Sequence, residues 1–335
     1  MATMKTLNGY GFNATELNGK AASDYLQKTD TATNSEKLGG KAPEYYLQPR
    51  NLLDNSDFRN PVNQRGVVYG ANRNNGYTID RWHYEQSAGA GDGYFGLTEY
   101  YVSLLAPSDG YSQMYQNLEK YAKLKGKNVT FAALINRGGT EKTVCVTFTL
   151  GSIDVGLNLF EDGSLKLYSV DGMNILIRAT GAEEFQFIWA ALYEGSYTAD
   201  TLPPYVPKGY AAELAECRRY FERLGTTFSE RIGTTVYVVS GAKSFVCSLQ
   251  CSRKRISHPS VSISDIDNYR LLLKDATNAS TYSAASISSI DDITTQEPFI
   301  SFRVNMVDAI TQNSWIQLQR SDGATAAYID VSADL

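Results

Sequence analysis

The sequence predicts a mainly β chain: a short N-terminal repeat neck, an antiparallel, jelly-roll-like β-sandwich, a short linker helix and a C-terminal β-sandwich head, assembled as a parallel homotrimer. Three observations predict it. An eleven-residue phrase is written twice near the start. Apolar and polar residues then alternate in short runs broken by Gly and Asn/Asp turns, the pattern of strands. One stretch with helical spacing separates these runs from a second set of strands.

The neck spans residues 1–50. "LNGKAASDYLQ" at 17–27 returns as "LGGKAPEYYLQ" at 38–48, an offset of 21 (38 − 17). Leu17/Leu38, Gly19/Gly40, Lys20/Lys41, Ala21/Ala42, Tyr25/Tyr46, Leu26/Leu47 and Gln27/Gln48 match. Each unit has a leucine, a Gly-containing turn, and about one or two helical turns ending in an aromatic and a leucine. Isolated helices that short are marginal in water, and two units fall short of the roughly three that a solenoid needs. The apolar residues therefore need a partner. The simplest one is the same segment of another copy of the chain.

Pro49 and "PRNLLDNSDFRNP" mark the boundary to the sandwich, residues 51–206. "NVTFAALI" sets Val129, Phe131, Ala133 and Ile135 on one face. "KTVCVTFTL" does the same with Val144, Val146, Phe148 and Leu150, and "EFQFIWAALYE" is a mostly apolar strand. "NRGGTEK", "FEDGS" and "SVDGM" read as turns between them. Many short strands with no helical pattern between them indicate an antiparallel sandwich.

"TLPPYVPKGY" is a Pro-rich linker. After it, Tyr210, Leu214, Cys217, Phe221 and Leu224 are spaced 4, 3, 4, 3, which predicts a helix over 207–224. The stripe suits a seam between chains or a single helix packed on its own sheet. Residues 225–335 return to strands, as in "TTVYVVS", "SFVCSLQC", "FISFRVNM" and "SWIQLQR", and make the head.

The composition, 43% hydrophobic and 20% charged residues, is that of a folded chain. A net charge of −5 argues against nucleic acid as a partner. No segment has the ~20 apolar residues that would span a bilayer, so no membrane insertion is expected. The first residues lack the apolar core of a signal peptide, so synthesis in the cytoplasm without export by that route is expected. The 23 tyrosines suit either a wet binding surface or strand propensity.

Neither metal nor cofactor is expected. His83 and His258 stand in no ligand spacing, and no phosphate loop or nucleophile elbow occurs. Cys247 and Cys251 share one face of a strand roughly 13 Å apart, beyond the reach of a disulfide, and read as buried thiols. Glu161–Asp162, Glu183–Glu184 and Asp291–Asp292 are the adjacent acids to weigh against a two-carboxylate hydrolase; pairs of this kind in loops are ordinarily solvated. "CSRKRISH", with Arg253, Lys254 and Arg255, suits an acidic polymer such as teichoic acid, or a solvated hairpin loop. "YTIDRWHYE" puts Trp82 and Tyr84 on one face, where they either stack on sugars or anchor the core. In the head, Tyr269, Arg270 and Trp315 are the comparable ligand-binding candidates.

Three stretches carry a family likeness: the "LGGKAPEYYL" repeat, "NLLDNSDFRNPVNQRG…YTIDRWHYE", and "WAALYEGSYTADTLPPYVPKGYAAELAECRRYFERL". With them the chain resembles tail fibre or receptor-binding proteins of phages and prophages that infect Gram-positive, gut-type bacteria. The second stretch is similar to the start of their carbohydrate-binding-like jelly-roll domain, and the third to its exit toward the terminal head. The resemblance implies a homotrimer on a virion tail. It further implies an N-terminus that engages other tail or baseplate proteins, and a head that binds a bacterial surface polysaccharide or teichoic acid. A non-enzymatic adhesin is the expectation; a polysaccharide-degrading tail enzyme and a purely structural baseplate or neck component are the alternatives. Recognition is expected in residues 225–335, at polar loops such as 264–268, 274–286 and 306–314.

Overall fold

The computed structural model describes residues 16–17, 20–21, 49–66, 70–72, 74–87, 93–225, 231–275, 282–296, 298–310, 313–321 and 327–334. The chain divides into two compact units, one of Met1–Arg50 with Asp200–Pro204, the other of Asn51–Ala199 with Tyr205–Leu335. In the first unit, β1 (Glu16–Leu17) pairs antiparallel with β2 (Lys20–Ala21), Leu17 opposite Lys20. The other matched repeat positions lie outside the described residues.

The second unit opens with a sandwich. Its elements are β3 (Gly70–Asn72), β4 (Gly76–Tyr77), β5 (His83–Gln86), β6 (Tyr94–Leu97), β7 (Val102–Leu105), β8 (Tyr111–Gln116), the short helix α1 (Tyr121–Leu124), β9 (Asn128–Arg137), β10 (Thr140–Thr149), β11 (Ile153–Asn158), β12 (Leu165–Val170), β13 (Met173–Thr180) and β14 (Glu184–Glu194). They form two six-stranded antiparallel sheets, β10-β9-β14-β7-β6-β3 and β11-β12-β13-β8-β5-β4. The alternation read in the sequence is the alternation of the fold. Val129, Phe131, Ala133 and Ile135 on β9 are fully buried, as are Phe185, Phe187, Ala190 and Leu192 on β14. The β9–β10 hairpin turns through Gly138 and Gly139, both at positive φ (58° and 83°). That is the backbone a tight two-residue hairpin demands and glycine supplies.

Next come α2 (Tyr210–Cys217), β15 (Phe221–Leu224), β16 (Arg231–Val238), β17 (Ser244–Gln250), β18 (Ser260–Ile263), β19 (Tyr269–Asp275), β20 (Tyr282–Ala285), β21 (Ile287–Gln296), β22 (Phe299–Met306), β23 (Ser314–Arg320) and β24 (Ile329–Ser332). Three sheets result: β15-β24-β18, β16-β23-β19-β20 and β17-β22-β21. Leu271, Ile300, Phe302, Val304, Ile316 and Leu318 fill the core between them.

The helix is shorter than its spacing predicts. It ends at Cys217, and Phe221 and Leu224 instead pair with Ser332 and Ile329 on β24. Pairing with a strand more than a hundred residues away outweighs the local helical pattern. Cys217 and Phe221 are buried by their own chain, while Tyr210 is 47% exposed. Tyr210, Leu214, Cys217, Phe221 and Leu224 therefore do not form one continuous helical stripe.

Arginines join the head to the sandwich. The Arg65 guanidinium carbon lies 3.7 Å from the Phe221 ring centroid and 4.4 Å from that of Tyr77. Arg81, only 2% exposed, lies 3.5 Å from the Tyr220 ring and pairs with Asp54 at 3.3 Å. Gln64 Nε2 donates to the Phe221 carbonyl (2.9 Å), and Arg223 donates to the Arg65 carbonyl (2.6 Å) and to Asp330. Arg65 also pairs with Asp334, and Arg219 with Glu119.

Candidate functional site

The four-stranded sheet of the head has one face in the core and one outside. On β23, "SWIQLQR" sends Ile316 and Leu318 inward, both fully buried, and Trp315, Gln317 and Gln319 to the other face. On β16, Val236 pairs with Ile316 and packs on the core, so Tyr237 points outward beside Trp315, its register partner. On β19, Leu271 and Leu273 face the core. Lys274, Leu272 and Arg270 stand opposite Trp315, Gln317 and Gln319. Trp315 and Tyr237 are each 46% exposed and meet edge to face, with ring centroids 5.2 Å apart at 63°. Two large aromatic rings side by side in water are an energetic cost on a monomeric surface and a standard anchor for a ligand.

The arrangement is a ledge on a rigid sheet. The rings offer apolar faces to the C–H side of a sugar ring. The Lys274 ammonium and the Gln317 amide offer donors, and the amide an acceptor, for hydroxyls one rung away.

Of the sequence candidates, Trp315 sits on this ledge. Arg270 shares its face, two rungs along, where its Nε donates to Gln319 Oε1 (3.1 Å). Tyr269 points the other way: it is 4% exposed, and its hydroxyl donates to the Tyr328 carbonyl (2.6 Å). It anchors the core and does not reach a ligand. Tyr237 was not among the sequence candidates, although its place in the alternating run "TTVYVVS" puts it on the face opposite Val236 and the buried Val238.

Trp82 and Tyr84 are corrected as ligand candidates. Both are fully buried. Trp82 Nε1 donates to the Asn55 carbonyl (2.9 Å), and its ring meets Phe58 edge to face at 5.4 Å. "YTIDRWHYE" is two strands around a turn. The Trp82 amide donates to the Ile79 carbonyl, and Arg81 holds φ at 72°. The turn drops Trp82 into the sandwich.

The basic stretch is divided: Arg253 is exposed on a loop, while Lys254 and Arg255 are engaged by the chain. Lys254 is 4% exposed, and its Nζ donates to Glu222 Oε2 (2.9 Å) and the Arg218 carbonyl (2.6 Å). Arg255 Nε donates to the Ala333 carbonyl. Each adjacent pair of acids has at least one member engaged. Asp162 and Glu183 both pair with Arg137, Asp292 pairs with Arg303 (2.7 Å), and Asp291 accepts from Asn305 (2.7 Å). Cys217, Cys247 and Cys251 are buried free thiols, and burial pushes Cys247 up to about 11. Of the polar loops, 264–268 carries a single 3₁₀ turn, Ile266–Asn268, capped by the Asp265 side chain. Parts of 274–286 and 306–314 lie outside the described residues.

The chain matches no family model and no curated protein. Among solved structures it is similar to the binding domain of botulinum neurotoxin DC in complex with rat synaptotagmin II, at 7% identity and a TM-score of 0.17 over 81% of this chain and 100% of that one. A likeness at that level carries no argument about this chain.

Proposed function

We propose that the chain is a non-enzymatic adhesin: a tail fibre or receptor-binding protein of a phage-like particle, acting on a virion tail, whose head binds a bacterial surface glycan. The exposed Tyr237–Trp315 pair carries this reading. It presents two rings and a neighbouring lysine on a sheet whose other face is the domain core. The likeness of the neck, the sandwich start and the sandwich exit to tail fibre proteins supports the placement on a particle. The repeat in residues 1–50 supports a homotrimer, with the N-terminal segments tying three heads to other tail or baseplate proteins. Weak sites suffice in such an assembly, because linked binding raises apparent affinity by ~10²-fold or more without new contacts.

An array of bacterial surface polysaccharides probed with the full chain tests the adhesin. Binding without release of new reducing ends is expected. Cleavage would turn the reading to an enzyme, and silence across the array to a structural component. Light scattering should report three chains per particle, and a single chain would overturn the neck's role.

A further inference from the structure

The outward face of the sandwich's second sheet holds a rung of charged and amide side chains. Register places Glu85 opposite Gln113, Gln113 opposite Arg178, and Arg178 opposite Lys166, across β5, β8, β13 and β12. Arg178 and Lys166 are like charges directly across a strand pair, an arrangement that costs stability. Among the described residues neither forms an ion pair. The hydrogen bond of Arg178 runs from Nε to Gln113 Oε1 (2.8 Å), and among the described residues both terminal guanidinium nitrogens have no partner.

This arginine is nevertheless held in place. Its guanidinium carbon lies 4.2 Å from the ring centroid of Tyr111 and 4.8 Å from that of Tyr168. Tyr168 is itself seated against Gly156, where a Cβ would come within 2.6 Å of the ring. Gln113, only 1% exposed, is oriented from its other end: its Nε2 donates to Glu85 Oε2 (2.9 Å), and Glu85 also accepts from the Tyr115 hydroxyl (3.4 Å). A guanidinium fixed by two rings and one amide, with its terminal donors unused, is pre-organised for a planar or tetrahedral oxyanion.

We propose that this rung is a second binding site, separate from the head's ledge, and that its ligand is an acidic saccharide, a sugar bearing a carboxylate or a phosphate. Arg178 takes the anion as a two-toothed donor, and Lys166 adds a second positive charge one strand away. The flanking tyrosines meet the apolar side of the sugar ring. The chain's net charge of −5 opposes a dense polyanion such as nucleic acid, whereas a sugar with an isolated charge meets mainly the local field.

Saturation-transfer NMR titrations of the full chain with glucuronic acid, glucose 6-phosphate and glucose test this. At least one acidic sugar should bind about tenfold or more tightly than glucose, the yield of one charge-assisted pair. Which one binds separates a carboxylate from a phosphate ligand. Arg178→Gln should abolish the preference, and Lys166→Glu, a partly exposed change, should weaken it by itself if the first variant does not fold. Trp315→Ala should leave it intact, so a failure of the head's ledge and a failure of this site read differently. Equal binding of all three sugars, or a preference that survives in folded Arg178→Gln or in Lys166→Glu, would overturn the proposal.

Discussion

The guanidinium carbon of Arg65, from the sandwich, sits 3.7 Å from the ring centroid of Phe221, the first residue of the strand that opens the head. With Arg81 over Tyr220, it makes the joint an aromatic–cation contact in which the charges are paired and largely shielded from water. Such contacts gain strength on desolvation.

Breaking this joint should be costly. Arg81→Ala removes a buried guanidinium and leaves Asp54 short of a partner, so a loss of about 3 kcal/mol is expected. Denaturant unfolding of the variant against the parent measures it; a change within about 0.5 kcal/mol, typical of surface sites, would contradict the joint's role.

Asp80 makes the joint pH-sensitive. Burial pushes its carboxyl up to about 6 from an ordinary 3.8, against the opposing pull of Gln64 and Arg65, while Asp334 raises it further. The folded chain thus keeps a proton that the unfolded chain gives up near 3.8. The stability from that proton is full at low pH and is lost as pH rises through about 6. Asp80→Asn should therefore gain on the parent between about pH 4 and pH 7, by on the order of 2 kcal/mol. A parent that gains on the variant over that window would contradict this.

The cysteines should label in a fixed order. Burial raises Cys145, Cys217 and Cys247 alike, but Cys217, Cys247 and Cys251 are buried while Cys145 is only half-buried. Iodoacetamide at pH 8 should modify Cys145 first and the other three only on unfolding. Peptide mass spectrometry checks this, and early labelling of Cys247 would contradict the packing of β17.

Much of the fold was legible because it is written locally. A mostly apolar run marks Glu184–Glu194 as one strand, and alternation puts Phe245 and Cys247 in the core. What was not legible depends on distant pairing. Nothing near Phe221 announces Ser332 as its partner. Nothing near Lys254 announces Glu222, 32 positions away, as the acid that takes it out of solvent. For Trp82 the sequence left two readings, stacking on sugars or anchoring the core, and only its burial together with Tyr84 decides for the core. On the ledge, Trp315 was legible as an aromatic in a strand, but its pairing with Tyr237 required the register.

The central claim is that the Tyr237–Trp315 ledge binds a bacterial glycan, and one measurement addresses it most directly. The full chain and its Trp315→Ala variant are titrated against the surface polysaccharide that the array identifies, with thermal unfolding recorded alongside. Trp315 is 46% exposed, so its removal should leave the melting temperature nearly unchanged. Losing a ring that packs on the sugar should weaken binding by about tenfold or more. Undiminished binding by a folded Trp315→Ala variant would contradict the account.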